Sequence, residues 1–220
     1  MKTSNPFRLQ VSGPNACFTR PEMKVERVSY EVMTPSAARG ILEAILWKPA
    51  IRWRILQIDV LKPIRWESVR RNEVGGVVPG GSVKSTMKKG AGNLGLYIEE
   101  QRQQRAGLLL RDVAYVIHAD FEMTDKAGPD DNVVKFEQMF IRRASSGQCF
   151  HRPYFGCREF PVHFEFIPKD AESVEAIPET RNLGWMLFDV DRTGEEPMPQ
   201  FFNATMDQGV VDLRNVEVRS

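Results

Sequence analysis

The sequence predicts an α+β fold, a sheet-and-helix domain followed by a small antiparallel β-sheet domain. Three observations carry this expectation. Apolar and polar residues alternate at strand spacing in several separated stretches. Two intervening stretches carry apolar residues at helical spacing. After Pro168 only short strand-like segments follow, joined by turn residues.

Phe7, Leu9 and Val11 alternate with Arg8, Gln10 and Ser12, which predicts a half-buried strand ended by Gly13-Pro14-Asn15. Thr34-Pro35-Ser36 opens a helix, with either hydroxyl residue as N-cap. Ala38, Ile41, Leu42 and Ile45 make its buried stripe. Arg39, Glu43 and Leu46 share the flank that borders solvent, and Pro49 stops the helix. A long strand is expected over Ile51–Trp66, with a bulge where its alternation fails. Residues 67–104 read as an irregular, Gly- and Lys-rich insertion. Val113–Met123 alternates well and predicts a strand. Asp130–Ala144 predicts a second helix, with Val133, Phe136, Phe140 and Ala144 on one stripe. Val162–Ile167 predicts another strand. The order strand, helix, strand, strand, helix, strand is the ferredoxin-like pattern used by RNA-recognition domains, which expose a sheet face or edge to RNA. Residues 1–167 form that domain in this reading. Residues 168–220 form the small sheet, from Leu183–Val190, Gln200–Met206 and Val210–Leu213, the last two joined by the turn Asp207-Gln208-Gly209.

The chain has 220 residues and a net charge of +1, so bulk charge does not mark a nucleic-acid binder and any phosphate surface must come from clustering. Cys17, Cys149 and Cys157 are odd in number and lack a CxxC spacing, which argues against a disulfide framework. No segment reads as a signal peptide or a membrane span, so a cytoplasmic location is expected. Gly81 is followed by Ser82-Val83-Lys84, which fails the phosphate-loop pattern, and no strand-to-helix frame is evident. Cys149, His151, Cys157 and His163 fit no standard zinc spacing, so no metal is expected. His118 and Asp120 share a strand face and are expected to form a hydrogen-bonded or solvated couple.

Several blocks carry a resemblance: Phe18–Pro49, Arg70–Val74, Gln104–Ile117, Gly156–Phe160 and Leu183–Asp191. In order and spacing they resemble the Cas-five family of the type I-C (Dvulg) CRISPR systems, and they span almost the whole chain. The resemblance implies a modified ferredoxin-like domain with a small C-terminal sheet. It also implies binding and metal-free cleavage of the repeat hairpin of precursor crRNA, with no cofactor. The partners it implies are precursor and mature crRNA and the backbone and large subunits of a type I-C Cascade complex. The alternative is a non-catalytic scaffold that caps the guide's 5′ handle, with duplex DNA as a further ligand of the same surface.

Metal-free cleavage needs a base for the 2′-hydroxyl, an acid for the leaving 5′-oxygen and a cation for the phosphorane. The resemblance implies a Tyr or His at the position of Leu46 and a Lys-His pair at Lys135-Phe136. Only Lys135 keeps a chemical group, so it is the expected catalytic residue, with Tyr30, His118, His151 and Tyr154 as candidate helpers. Lys24, Arg27, Arg39, Arg70, Arg71, Arg105, Arg142, Arg143, Arg152 and Arg158 lie mostly in or beside these blocks, interleaved with Phe18, Tyr30, Phe150, Tyr154 and Phe155. Such a mixture suits phosphate neutralisation and base stacking.

Overall fold

The computed structural model describes residues 2–23 and 25–220. Their elements are β1 (Phe7–Ala16), α1 (Pro35–Ile45), β2 (Ile51–Val60), β3 (Trp66–Val74), α2 (Gly80–Lys89), α3 (Ile98–Gln101), β4 (Arg102–Met123), α4 (Val133–Ser145), β5 (His163–Ile167), β6 (Arg181–Asp191), β7 (Met198–Met206), β8 (Val210–Asp212) and β9 (Val218–Arg219). The main sheet runs β5-β1-β4-β2-β8, with every pairing antiparallel. Its first four strands keep the ferredoxin-like order. The alternation in β1 and β4 turns Phe7, Leu9, Val11, Tyr115, Ile117 and Phe121 toward α1 and α4, where all are buried. Phe140 of α4 meets Trp53 at 4.8 Å and Phe7 at 4.9 Å between ring centroids. Such aromatic pairs add to the apolar burial that holds a sheet to its helices.

Several expectations need correction. β1 does not stop at Gly13-Pro14-Asn15 but pairs with β4 as far as Ala16. Its pairing with β5 has ended by Ser12, so Pro14 lies where β1 is an edge, and a missing N–H is tolerated there. The stretch Ile51–Trp66 is two strands, not one. β2 carries a register shift between Ile55 and Gln57 and ends at Val60. β3 then pairs with the first part of β4, Trp66 opposite Leu110 through Val74 opposite Arg102. The segment expected to be irregular is therefore a two-stranded ribbon that extends β4 to 22 residues. Asp112, at φ +53°, stands between the half of β4 that serves β3 and the half that serves β2. α2 buries none of its residues. A strand does lead into this helix, but it belongs to an antiparallel hairpin, so no phosphate-loop frame results.

α1 begins as expected, with the Thr34 hydroxyl accepting from the Ala37 N–H at 3.3 Å. Its end differs. Leu46 is not on a solvent flank: it leaves the helix at φ −144° and is fully buried. The free carbonyls of the last turn are met elsewhere. Ala44 O accepts from the Phe150 N–H, Ile45 O from Arg143 and Leu46 O from the Trp53 indole, each at 2.8 Å.

β6, β7 and β9 form the small second sheet. β8 leaves it and adds to the main sheet beside β2. The two-residue turn Gln208-Gly209 has positive φ at both positions, 47° and 77°, the geometry that suits a tight hairpin. No helix among the described residues is long and apolar enough to cross a membrane.

Candidate functional site

A cleft of about 290 Å³ opens at the first turns of α1. Thr34, Ser36, Ala37 and Gly40 of α1 form one wall, and Phe18 and Thr19, just past β1, form another. His151, Tyr154 and Gly156 close it from the loop after α4. That loop runs back along α1, pinned at Ala44 O by Phe150 and facing Thr34–Gly40 through Tyr154. No acidic residue lies in the first turn of α1, so the positive end of the helix is not neutralised from within. Pro35 has no N–H and Ala37 donates to the cap, which leaves the Ser36 N–H in the first turn, with the Ser36 hydroxyl 3.1 Å from the Thr34 hydroxyl. The cleft thus holds a helix N-terminus suited to a phosphate and two side chains able to move a proton.

His151 is exposed and Tyr154 half-buried, so of the four candidate helpers these two meet in one cavity. Tyr30 is fully buried behind it, with the Arg20 guanidinium 4.5 Å from its ring centre. Burial pushes the Tyr30 phenol up, against a hydrogen bond to the backbone of Leu187. It packs the wall rather than facing the cavity. His118 lies on the sheet face away from the helices, its Nε2 2.6 Å from Asp59 Oδ2. It does not pair with Asp120, which receives Arg54 through two bonds of 2.8 and 2.7 Å. That face is polar and internally paired, with Asp59, Asp120 and Glu122 among its carboxylates, and among the described residues it carries no aromatic row for bases.

Lys135 does not line the cleft. It stands on the first turn of α4, its ammonium 2.8 Å from Asp131, whose carboxyl it holds below the usual range. Phe136 is buried against Phe121 at 6.5 Å, as a packing residue. Among the expected RNA contacts, Arg39 clamps α1 to β6 through bonds of 3.0 and 2.7 Å to Asp189 and one of 2.7 Å to Glu43. Arg143 caps α1. Arg27, Arg71 and Arg105 face Glu73 and Glu159 at the ribbon, three guanidiniums against two carboxylates. Arg70, Arg142, Arg152 and Arg158 are exposed and form no ion pair among the described residues. Lys24 lies outside the described residues.

Behind the cleft, Cys157 Sγ sits 3.8 Å from Cys17 O, and the Cys17 N–H donates to Phe155 O at 3.1 Å. The neighbouring Cys17 side chain holds Cys157 below the usual thiol range, at about 6, and Cys157 in turn pushes Cys17 up. Cys157 therefore turns toward Cys17, not toward His151 or Cys149. Sequence reasoning missed the α1 cradle of Thr34, Ser36 and Gly40 as part of a site. The signal available was the Thr-Pro-Ser cap followed by a first turn without carboxylates.

Comparison with known proteins agrees with this architecture. Residues 7–214 match the family model Cas_Cas5d, described as CRISPR-associated protein Cas5. A Mannheimia succiniciproducens protein named CRISPR pre-crRNA endoribonuclease Cas5d is 54% identical over 215 residues, covering 96% of this chain and 95% of the relative. A Thermus thermophilus protein of the same name is 38% identical over 228 residues, covering 94% and 90%. The fold is shared with a crystal structure of a CRISPR-associated protein (TM-score 0.72, 22% identity, 100% and 99% covered) and with a functionally uncharacterized protein from Streptococcus mutans (TM-score 0.70, 20% identity, 100% of both chains covered). The family match spans nearly the whole chain, and the chain belongs to the Cas5 family of CRISPR-associated proteins.

Proposed function

We propose that this chain is a metal-independent endoribonuclease that cuts the repeat hairpin of precursor crRNA. The observation that carries the reading is the cleft in which His151 and Tyr154 face the unneutralised start of α1, in a chain 54% identical to a protein named for that activity. The scissile phosphate rests at the Ser36 N–H and hydroxyl. His151 takes the proton from the 2′-hydroxyl as O2′ bonds to phosphorus, and the P–O5′ bond breaks as Tyr154 protonates the departing 5′-oxygen. The products are a 2′,3′-cyclic phosphate and a 5′-hydroxyl. Lys135 and the exposed arginines Arg70, Arg142, Arg152 and Arg158 supply charge along the RNA. The enzyme then stays on the guide's 5′ handle as a subunit of a type I-C Cascade complex in the cytoplasm.

Incubation of the purified protein with its own repeat RNA in chelator tests this. A single cut, blocked by one 2′-deoxy substitution at the scissile nucleotide, is expected. Tight binding with intact RNA points instead to the scaffold reading. That second reading is favoured by Leu46 and Phe136, both buried and apolar where the family resemblance implies chemical groups.

A further inference from the structure

Cys17 and Cys157 are 140 residues apart in sequence and meet behind the cleft as free thiols. A single carbonyl, Phe155 O, accepts from the Cys17 N–H at 3.1 Å and from the Cys157 N–H at 2.9 Å, so both backbones are held to one atom. Cys157 Sγ lies 3.8 Å from Cys17 O, and Cys17 Sγ lies 3.4 Å from Thr19 Oγ1. Phe155 is buried, with its ring centre 6.0 Å from those of Phe18 and Tyr115. The turn that carries Cys157 is closed by the Phe155 N–H on Phe160 O and the Phe160 N–H on Cys157 O. The two cysteines are therefore fixed side by side by packing on both chains. Cys17 is fully buried and Cys157 half-buried, so a small solute reaches Cys157 first. Cys157 is also the more acidic, held low mainly by Cys17 and further by Thr19 and Arg27. An accessible, acidic thiol beside a second, protected one is the arrangement in which oxidation ends in a disulfide. Neither thiol has a part in the cleavage chemistry above.

We propose that hydrogen peroxide joins Cys17 and Cys157 in a reversible disulfide, and that this bond sets the cleft in a form that cuts RNA slowly. The Cys157 thiolate attacks the O–O bond, giving a sulfenic acid and a hydroxide that takes up a proton to become water. The Cys17 sulfur then attacks the Cys157 sulfur. The S–S bond forms as the S–O bond breaks, and the Cys17 proton leaves with the departing hydroxyl as a second water. The sulfurs lose two electrons in all and the peroxide gains them, and a dithiol reverses the step by exchange. Cys17 leads directly into Phe18 and Thr19, and Cys157 directly follows Gly156, all three in the cleft lining. A disulfide draws its sulfurs to about 2.05 Å, so the bond pulls one wall against the other. Misplacing reacting groups by about 1 Å costs on the order of 100-fold in rate. The effect on cutting rests on the ribonuclease reading above, whereas the bond itself does not.

The test uses the full-length protein, reduced and then treated with hydrogen peroxide. Peptide mass spectrometry after alkylation is expected to find Cys17 joined to Cys157, with the loss of two hydrogens, and Cys149 still open to iodoacetamide. The melting temperature is expected to rise, since the bond ties together residues 140 apart in sequence. Single-turnover cleavage of the protein's own repeat RNA in chelator is expected to fall roughly 10- to 100-fold and to return with dithiothreitol. Cys17→Ser and Cys157→Ser are expected to cut at the rate of the reduced wild type and to keep that rate in peroxide, while Cys149→Ser slows as the wild type does. The mass and melting measurements on the wild type stand even if a serine variant fails to fold. Both thiols left open to alkylation, Cys157 carried on to a sulfinic acid, or Cys149 joined to either partner each overturns the proposal. A Cys17–Cys157 bond with cleavage unchanged overturns its link to the cleft. Equal slowing of the serine variants in peroxide does the same, by placing the damage elsewhere. If the bond forms but the reduced wild type never cuts, the ribonuclease reading fails while the disulfide stands.

Discussion

Gly40 shows how one residue separates folding from function. A Cβ added there meets nothing within 4 Å, and glycine inside a helix costs about 0.5–1 kcal/mol relative to alanine. Its absence of side chain keeps the cleft wall open. Gly40→Ala is expected to raise the melting temperature while slowing cleavage, and a variant both more stable and equally fast would show that the wall does not face substrate. Gly156 is the opposite case. It holds φ +76°, and a Cβ there would lie 2.0 Å from Cys17 O. Gly156→Ala is expected to destabilise the fold by more than about 2 kcal/mol, read as a lower melting temperature. Its neighbour Cys157 has a depressed pKa, so its thiolate forms as pH rises through about 6, well below an ordinary thiol. Alkylation of Cys157 by iodoacetamide is expected to reach its plateau rate by about pH 7. A rate still climbing steeply above pH 8 would contradict a thiol held below its usual range by Cys17.

At the scale of elements, α1 organises the site. Its first turns form one wall of the cleft, and its last carbonyls anchor Trp53, Arg143 and Phe150. Thr34→Ala is expected to cost about 1 kcal/mol of stability and to weaken RNA binding at the same time. Unchanged binding at a lowered melting temperature would confine Thr34 to structure. The helices α1 and α4 and the ferredoxin-like strand order were legible because one face of each of these elements is buried, and burial writes a period of two or 3.6 into the residues; α2 and α3, which bury nothing, were not. β3 and the first half of β4 were not legible. They pair with each other as a ribbon wetted on both sides, so residues such as Glu67, Arg70 and Glu73 carry no apolar alternation to read. Leu46 was misplaced for a related reason. Helical periodicity cannot report that a tryptophan, an arginine and a backbone amide distant in sequence converge on the last turn. His151 and Tyr154 were visible as candidates by residue type, but only the tertiary fold separates them from Tyr30 and His118.

Across the whole molecule, a net charge of +1 conceals a divided distribution. Arg39, Arg54 and Arg143 are engaged in holding elements together, whereas Arg70, Arg142, Arg152 and Arg158 are exposed and free of ion pairs among the described residues. With about 0.7–0.9 counterions released per neutralised phosphate, those four alone predict a log–log salt slope of about −3 for RNA binding. A slope near zero between low and moderate salt would contradict a phosphate-led surface. The fold, the cleft and the family membership meet in one claim, that His151 in the α1 cleft moves the proton that starts cleavage. The most direct test is the single-turnover rate of repeat-RNA cleavage, in chelator and at saturating protein, for the wild type, His151→Ala and Lys135→Ala. A loss of about 10²–10⁴-fold is expected for His151→Ala with affinity spared, and a loss under about tenfold for Lys135→Ala. A Lys135→Ala variant that cannot cut, beside a His151→Ala variant that cuts at the wild-type rate, would place the chemistry at α4 and contradict it.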